Sequence, residues 1–280
     1  METYLWYALW CGIVLCITWE MLAPRRQAGK QTSYRWLNNG LLTLLNIFLG
    51  RWFYALLLAG VASLSFDHKI GLVGAWSIGF WGGLLLAFVV FELLDYWLHR
   101  AFHASSYLWR FHAVHHSDTD LDFSSAYRHH PFEVLLTIFL HLPIVLVLGL
   151  PPAAILVYQL FRNFMAVFSH SNIYLPLSVD RVLRCFVVTP DFHRTHHSSE
   201  RTYTNSNYSS SVSWPDYIFR TIRLRDFAEQ ADFELGLEYL RSPEDSRTDR
   251  LLLLPFRWPG ASINRSVLSP EDTSKITPER

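Results

Sequence analysis

Residues 95–116 read DYWLHRAFHASSYLWRFHAVHH and follow directly on a long apolar run. The stretch holds five of the chain's 13 histidines: His99, His103, His112, His115 and His116. His99 and His103 are an i, i+4 pair, and His112, His115 and His116 are an i, i+3, i+4 set. Both spacings place side chains on one face of a helix. His193, His196 and His197 repeat the second spacing further on, after His170. A lone histidine most often caps a helix or fills a polar gap. Three spaced groups plus His170 aim many imidazoles at common points, and neutral imidazole is the commonest side-chain ligand for zinc, copper, iron and nickel. The expectation is that the clusters converge on one metal centre.

Composition frames that reading. Of 280 residues, 51% are hydrophobic and only 17% charged, with the apolar residues in long blocks. This is more apolar than an ordinary soluble domain. The formal net charge is zero, so nothing points to nucleic-acid binding. Cys11, Cys16 and Cys185 form no CxxC motif and no disulfide framework, which argues against thiolate zinc and iron–sulfur clusters.

The apolar blocks predict an all-α, polytopic membrane protein carrying its histidines on a cytoplasmic cap. Tyr4 to Leu22 is long enough to span a bilayer core. Only Glu2 precedes it where a signal peptide would carry positive charge, so it reads as a retained anchor. Arg25, Arg26, Lys30 and Arg35 follow, which makes that side cytoplasmic by the positive-inside rule. The next block, Leu41 to Phe66, is interrupted by Arg51. A charge is costly inside a span, so the crossing starts near Trp52 and Leu41 to Gly50 lies at the interface. Trp76 to Leu98 returns the chain and delivers His99. Phe132 to Leu150 and Ala153 to Ser169, broken by Gly149, Pro151 and Pro152, form a hairpin that brings His170 to the same side.

Other polar residues are placed by proximity. Glu92 and Asp95 lie at the end of the third apolar block, and Asp95 precedes His99 by four residues. Asp95 is therefore the better candidate to accept the free ring N–H of His99 and fix its tautomer. His129 and His130 end the polar connection after the second box. His141 and His68 fall outside the expected site. Residues 216–240 are a candidate amphipathic helix that lies on the membrane surface or covers the site. Residues 266–280 are polar without periodicity and expected to be disordered.

His99-x3-His103, His112-x2-His115-His116 and His193-x2-His196-His197, on a multi-span apolar chain, resemble the fatty acid hydroxylase / sterol desaturase superfamily of membrane di-iron enzymes. The likeness extends to Asp95 and Arg100, Ser117, Arg128-x-His130-Pro131, His170-Ser171-Asn172 and Asn207-Tyr208. Downstream the chain departs from the family's pattern, with Ser209 where a glycine is frequent and Pro215 inside the Trp214 motif. The resemblance implies two non-haem iron ions held by His99, His103, His112, His115, His116, His170, His193, His196 and His197, with His130 as a tenth candidate. It also implies O2 and two electrons used on an unactivated C–H bond of a lipid, whether sterol, fatty acyl, sphingoid or ether lipid. No electron-carrier module is visible, so a separate donor protein is expected.

The organisation follows: anchor spans over residues 1–75, a catalytic domain over 76–240 and a polar tail over 241–280. A histidine-rich metal-binding protein or transporter is the alternative. A transporter would line a path across the membrane, whereas these histidines gather at one face. A zinc hydrolase would need only three or four ligands, and the chain has no HExxH motif.

Overall fold

The computed structural model describes residues 2–72 and 78–257, without the side chains of residues 2, 3, 51–56 and 59. The expectation about Arg51 concerns one of those side chains, and the expected disorder of 266–280 also lies outside the described residues. The chain folds into helices: α1 (Glu2–Leu22), α2 (Thr32–Asn46), α3 (Trp52–Asp67), α4 (Phe80–Ala104), α5 (Ser106–His116), α6 (Pro131–Leu148), α7 (Pro152–His170), α8 (Leu177–Leu183), α9 (Pro190–His196), α10 (Arg201–Thr204), α11 (Trp214–Ile218) and α12 (Thr248–Leu253). Among the described residues there is no β-strand, only isolated bridges such as Pro24 with Ile173. Three helices are long and apolar enough to cross a membrane, Tyr4–Leu22, Phe80–Ala104 and Pro131–Leu148.

α7 packs against α1, α3 and α4. Of its polar residues, Arg162 pairs with Asp95 of α4 and Asn163 accepts from the Tyr127 hydroxyl. The bundle core is Leu58, Ala62, Ala87, Phe91, Val145, Leu150, Ile155 and Tyr158. The α6–α7 turn depends on Gly149, which adopts the left-handed conformation (φ 64°) as the α6 cap. A Cβ there would meet the Ile70 carbonyl oxygen at 2.3 Å.

α2 is amphipathic the opposite way round from a soluble helix. Arg35, Asn38, Asn39, Leu42 and Asn46 are buried, while Leu37, Leu41 and Leu44 are exposed. Its polar face grips the segment after the second histidine box. Arg35 donates to Asp118 Oδ1 at 2.5 Å and Oδ2 at 2.9 Å, and to Asp122 at 2.9 Å. Arg128 donates to Asn39 at 2.7 Å, to Ser117 Oγ at 2.8 Å and to the Val114 carbonyl at 3.0 Å. Burial alone would raise the Asp118 pKa, but Arg35 and Arg128 hold it well below the usual carboxylate range. The outward apolar face fits the interfacial position expected for Leu41 to Gly50.

Two expectations need correction. Residues 216–240 form no continuous helix. α11 ends at Ile218, Arg220 takes a left-handed φ of 55° and Gly236 a φ of 88°. Its apolar side chains insert singly, with Phe233 and Leu235 packing on Leu121. The tail does not begin at 241 either. Leu251 and Leu254 form a core with Leu42 and Val114, and the Thr248 amide donates to Asn38.

Candidate metal centre

The end of α4, all of α5, the end of α7 and α9 meet at one end of the bundle. The α6–α7 hairpin does return the chain there, because His170 closes α7 beside His115 and His193. Each helix contributes as its spacing dictates: α4 projects His99 and His103 from its last two turns, and α5 and α9 each offer an HxxHH set.

The histidines form two groups rather than one centre. His99, His103, His112, His116 and His196 make the first, and His115, His170, His193 and His197 the second; within each, the candidate ligand atoms lie within 4.8 Å of one another. The two HxxHH sets divide in complementary fashion. α5 gives its i, i+4 pair to the five-histidine group and His115 to the other. α9 gives its i, i+4 pair to the four-histidine group and His196 to the first. The groups adjoin, with the His116 and His197 rings stacked at 4.5 Å.

The geometry fits bound metal. In the first group His99 Nε2 lies 3.0 Å from His112 Nε2 and 3.1 Å from His196 Nε2. In the second, His170 Nε2 lies 3.1 Å from His115 Nε2 and 3.0 Å from His193 Nε2, and His193 Nε2 lies 3.2 Å from His197 Nε2. Nitrogens bound at right angles, each about 2.1 Å from one ion, are about 3.0 Å apart.

Proton placement points the same way. Nδ1 of His99 donates to the Tyr208 carbonyl at 2.6 Å, Nδ1 of His196 to the Ser206 carbonyl at 2.6 Å, and Nδ1 of His112 to Glu133 Oε1 at 2.9 Å. Nδ1 of His170 donates to the Ala166 carbonyl at 2.8 Å. Each neutral ring has then spent its one proton outward, so His99 and its two neighbours point lone pairs at each other. A cation between them is what such lone pairs require. His116 Nε2 is buried without a hydrogen-bond partner among the described residues. Burial, with neighbouring imidazoles adding to it, holds His115, His116, His193, His196 and His197 well below the ordinary histidine value of 6.5. They are therefore neutral at pH 7, the form that binds metal.

Aromatic rings wall the first group. Trp109 packs on His103 at 5.0 Å and His116 at 5.2 Å, and Tyr208 on His103 at 5.2 Å. Phe102 stacks on His112 at 5.4 Å.

The supporting carboxylate is not the expected one. Asp95 accepts from His141 Nε2 at 2.8 Å and pairs with Arg162 at 2.9 Å, while both ring nitrogens of His99 are turned elsewhere. Asp95 thus ties α4 to α6 and α7. Glu92 is also buried rather than solvated, and accepts from the Tyr158 hydroxyl at 3.3 Å. Glu133 stands where a supporting carboxylate belongs, its Oε1 accepting from both His112 Nδ1 and His129 Nδ1, the latter 3.0 Å away. His129 stacks on His115 at 4.3 Å and joins Glu133 and His112 in a third set of potential ligands. His130 lies outside all three sets. It caps α6, accepting from the Phe132 amide at 3.1 Å and donating to the Leu252 carbonyl at 3.2 Å.

Sequence reasoning missed Glu133, and its signal was modest: a carboxylate one helical turn after His129. His141, expected outside the site, is in none of the three sets and pairs with Asp95 on the neighbouring span.

The fatty acid hydroxylase family profile matches residues 84–221. The chain is 29% identical over 135 residues to alkylglycerol monooxygenase of Homo sapiens, covering 48% of this chain and 29% of that protein. It is 30% identical over 142 residues to methylsterol monooxygenase 1-3 of Arabidopsis thaliana, covering 49% and 47%. It is 31% identical over 147 residues to ornithine lipid hydroxylase OlsE of Rhizobium tropici, covering 52% and 43%. Its matches thus span less than half the length of each of these relatives. No solved structure gives a significant match. The profile begins within α4, ends just past α11 and takes in every histidine of both groups; through this region the chain belongs to the fatty acid hydroxylase family.

Proposed function

We propose that the chain is a membrane-bound di-iron oxygenase that hydroxylates or desaturates an unactivated C–H position of a lipid. The observation that carries this is the pair of adjoining histidine groups, with facing Nε2 atoms 3.0–3.2 Å apart. The relatives named as monooxygenases of alkylglycerols and methylsterols and as an ornithine lipid hydroxylase support a lipid substrate. Two irons held there would supply the redox chemistry that activates O2 with two external electrons.

The chain's own residues do the rest. His99, His103, His112, His116 and His196 hold one ion, and His115, His170, His193 and His197 the other. Irons held by these all-nitrogen sets would supply the redox chemistry. Glu133 and the carbonyls of Tyr208, Ser206 and Ala166 fix the rings by accepting hydrogen bonds from Nδ1. Trp109, Tyr208 and Phe102 keep water from the first group, and a dry wall limits loss of the oxidant to side reactions. The reducing equivalents come from a separate donor protein.

By the positive-inside rule the histidine end faces the cytoplasm, since α1 leads into Arg25, Arg26 and Lys30 there. The organisation we propose is an anchor region to residue 75 and a catalytic region over 76–240. The test is lipid profiling by mass spectrometry of cells expressing the chain or its His196→Ala variant. A lipid gaining one oxygen, or losing two hydrogens, only with the unaltered chain supports the reading. Identical profiles from iron-replete cells count against it.

A further inference from the structure

The cap carries an apolar surface that the metal site does not use. Val179 and Val182 on α8, Phe186 after it, and Tyr217 and Ile218 on α11 are all exposed, Phe186 by 68% and Val182 by 62%. They belong to one ledge. The Tyr217 hydroxyl donates to the Arg184 carbonyl at 3.4 Å, and the Ser213 amide to the Phe186 carbonyl at 3.3 Å. Large contiguous apolar patches on a folded surface mark interaction sites.

Both ends of the ledge join spanning helices. On one side the Tyr174 amide donates at 3.0 Å to the carbonyl of Ala23, just past the end of α1. On the other, Phe219 packs against Trp97 of α4 at 4.9 Å. Trp97 closes a run of exposed apolar residues that winds around α4, Trp81, Leu85, Val89 and Trp97, since each step of four residues turns about 40° around the helix. From Trp81 to Trp97 the helix rises about 24 Å, close to the hydrocarbon thickness of a bilayer. A tryptophan at each end suits the two membrane–water interfaces. The ledge therefore starts at the depth where the lipid-facing run stops. Arg181 and Arg220 stand exposed at its rim, while Arg184 is paired with Asp180. Apolar side chains with arginines at the rim match the acyl–headgroup boundary of a bilayer containing anionic lipid.

We propose that this ledge, Val179, Val182, Phe186, Tyr217 and Ile218, is seated in the bilayer interface, with Arg181 and Arg220 among the lipid phosphates. Continuity with spans at both ends selects the bilayer over a protein partner. Seated this way, the ledge draws the five-histidine group to the membrane boundary. Phe219 stacks on Tyr96 at 5.0 Å, and Tyr96 meets Tyr208, which covers His103. The inference stands on the spans and the ledge and does not require a metal.

Cys185 is exposed on the ledge and serves as the probe. Full-length Cys11→Ser, Cys16→Ala protein is spin-labelled at Cys185 and reconstituted in phosphatidylcholine vesicles containing phosphatidylglycerol. The nitroxide's access to oxygen and to a water-soluble nickel chelate is compared with a label at Glu238→Cys, an exposed position elsewhere on the cap. A label at Val182→Cys, with Cys185 also replaced by serine, repeats the reading because the Cys185 thiol bonds the Arg181 carbonyl. The expected result at both positions is high oxygen access and nickel access several-fold below Glu238→Cys. Nickel access equal to Glu238→Cys would place the ledge in water. Low access to both reagents, or spin–spin broadening between labels on two chains, would place it under protein. Any of these overturns the proposal.

Discussion

The Nε2 atoms of His99 and His112 face each other across 3.0 Å, while each ring gives its Nδ1 proton away from the site, to the Tyr208 carbonyl and to Glu133. Two inward lone pairs at that distance repel unless a cation lies between them. The surrounding chain therefore holds the pair in a geometry that a metal ion would complete.

Glu133 accepts from His112 and His129 and so supports the five-histidine group directly. Glu133→Gln and Glu133→Ala should weaken metal binding there by about 10- to 100-fold, the usual effect of losing such a partner. Metal titration of the stripped protein checks this. Unchanged affinity at both groups would remove Glu133 from the site.

The division of the boxes makes neighbouring histidines unequal. His196→Ala and His103→Ala should spare the ion of the four-histidine group, and His197→Ala and His193→Ala that of the five-histidine group. Each variant should retain about one metal per chain and lose activity. A double variant taking one histidine from each group should retain none. Loss of both ions in every single variant would show that the groups bind as one unit.

Asp95 should behave as a packing residue. Asp95→Ala removes the carboxylate shared by His141 and Arg162 inside the bundle. Breaking a buried pair in this way costs about 3–5 kcal/mol, so the melting temperature in detergent should fall. Metal content per folded chain should stay unchanged, which separates Asp95 from Glu133.

The Arg35 contacts fasten the second box to α2. Arg35→Met removes the cation that Asp118 and Asp122 share, leaving Asp118 only Arg128, and should also cost about 3–5 kcal/mol. Arg247→Ala, at an exposed pair with Asp249, should change stability by less than about 1 kcal/mol. Thermal unfolding of the two variants side by side checks the contrast.

The helical class, three of the apolar spans and the gathering of nine histidines were legible in the sequence, because i, i+3 and i+4 spacing reports a shared face wherever the helix goes. The sorting of those nine was not. Whether His115 turns towards His112 or towards His170 depends on how α5 crosses α7, and no local spacing records that. Asp95 illustrates the same limit. Its position one turn before His99 suggested a contact, but a carboxylate on that face of α4 also meets α6 and α7, and His141 and Arg162 supply better-placed donors. The segment after Ile218 had apolar and basic residues in helix-like alternation. Of these only Phe233, Leu235 and Leu237 are buried, while Leu224 stays exposed, and the path has left-handed turns at Arg220 and Gly236.

If the two histidine groups hold two irons, elemental analysis of the protein, purified in detergent after expression with ample iron, will count them. About two irons per chain and little zinc are expected. A single zinc per chain, or no metal retained by protein that is folded, would contradict the two-iron assignment.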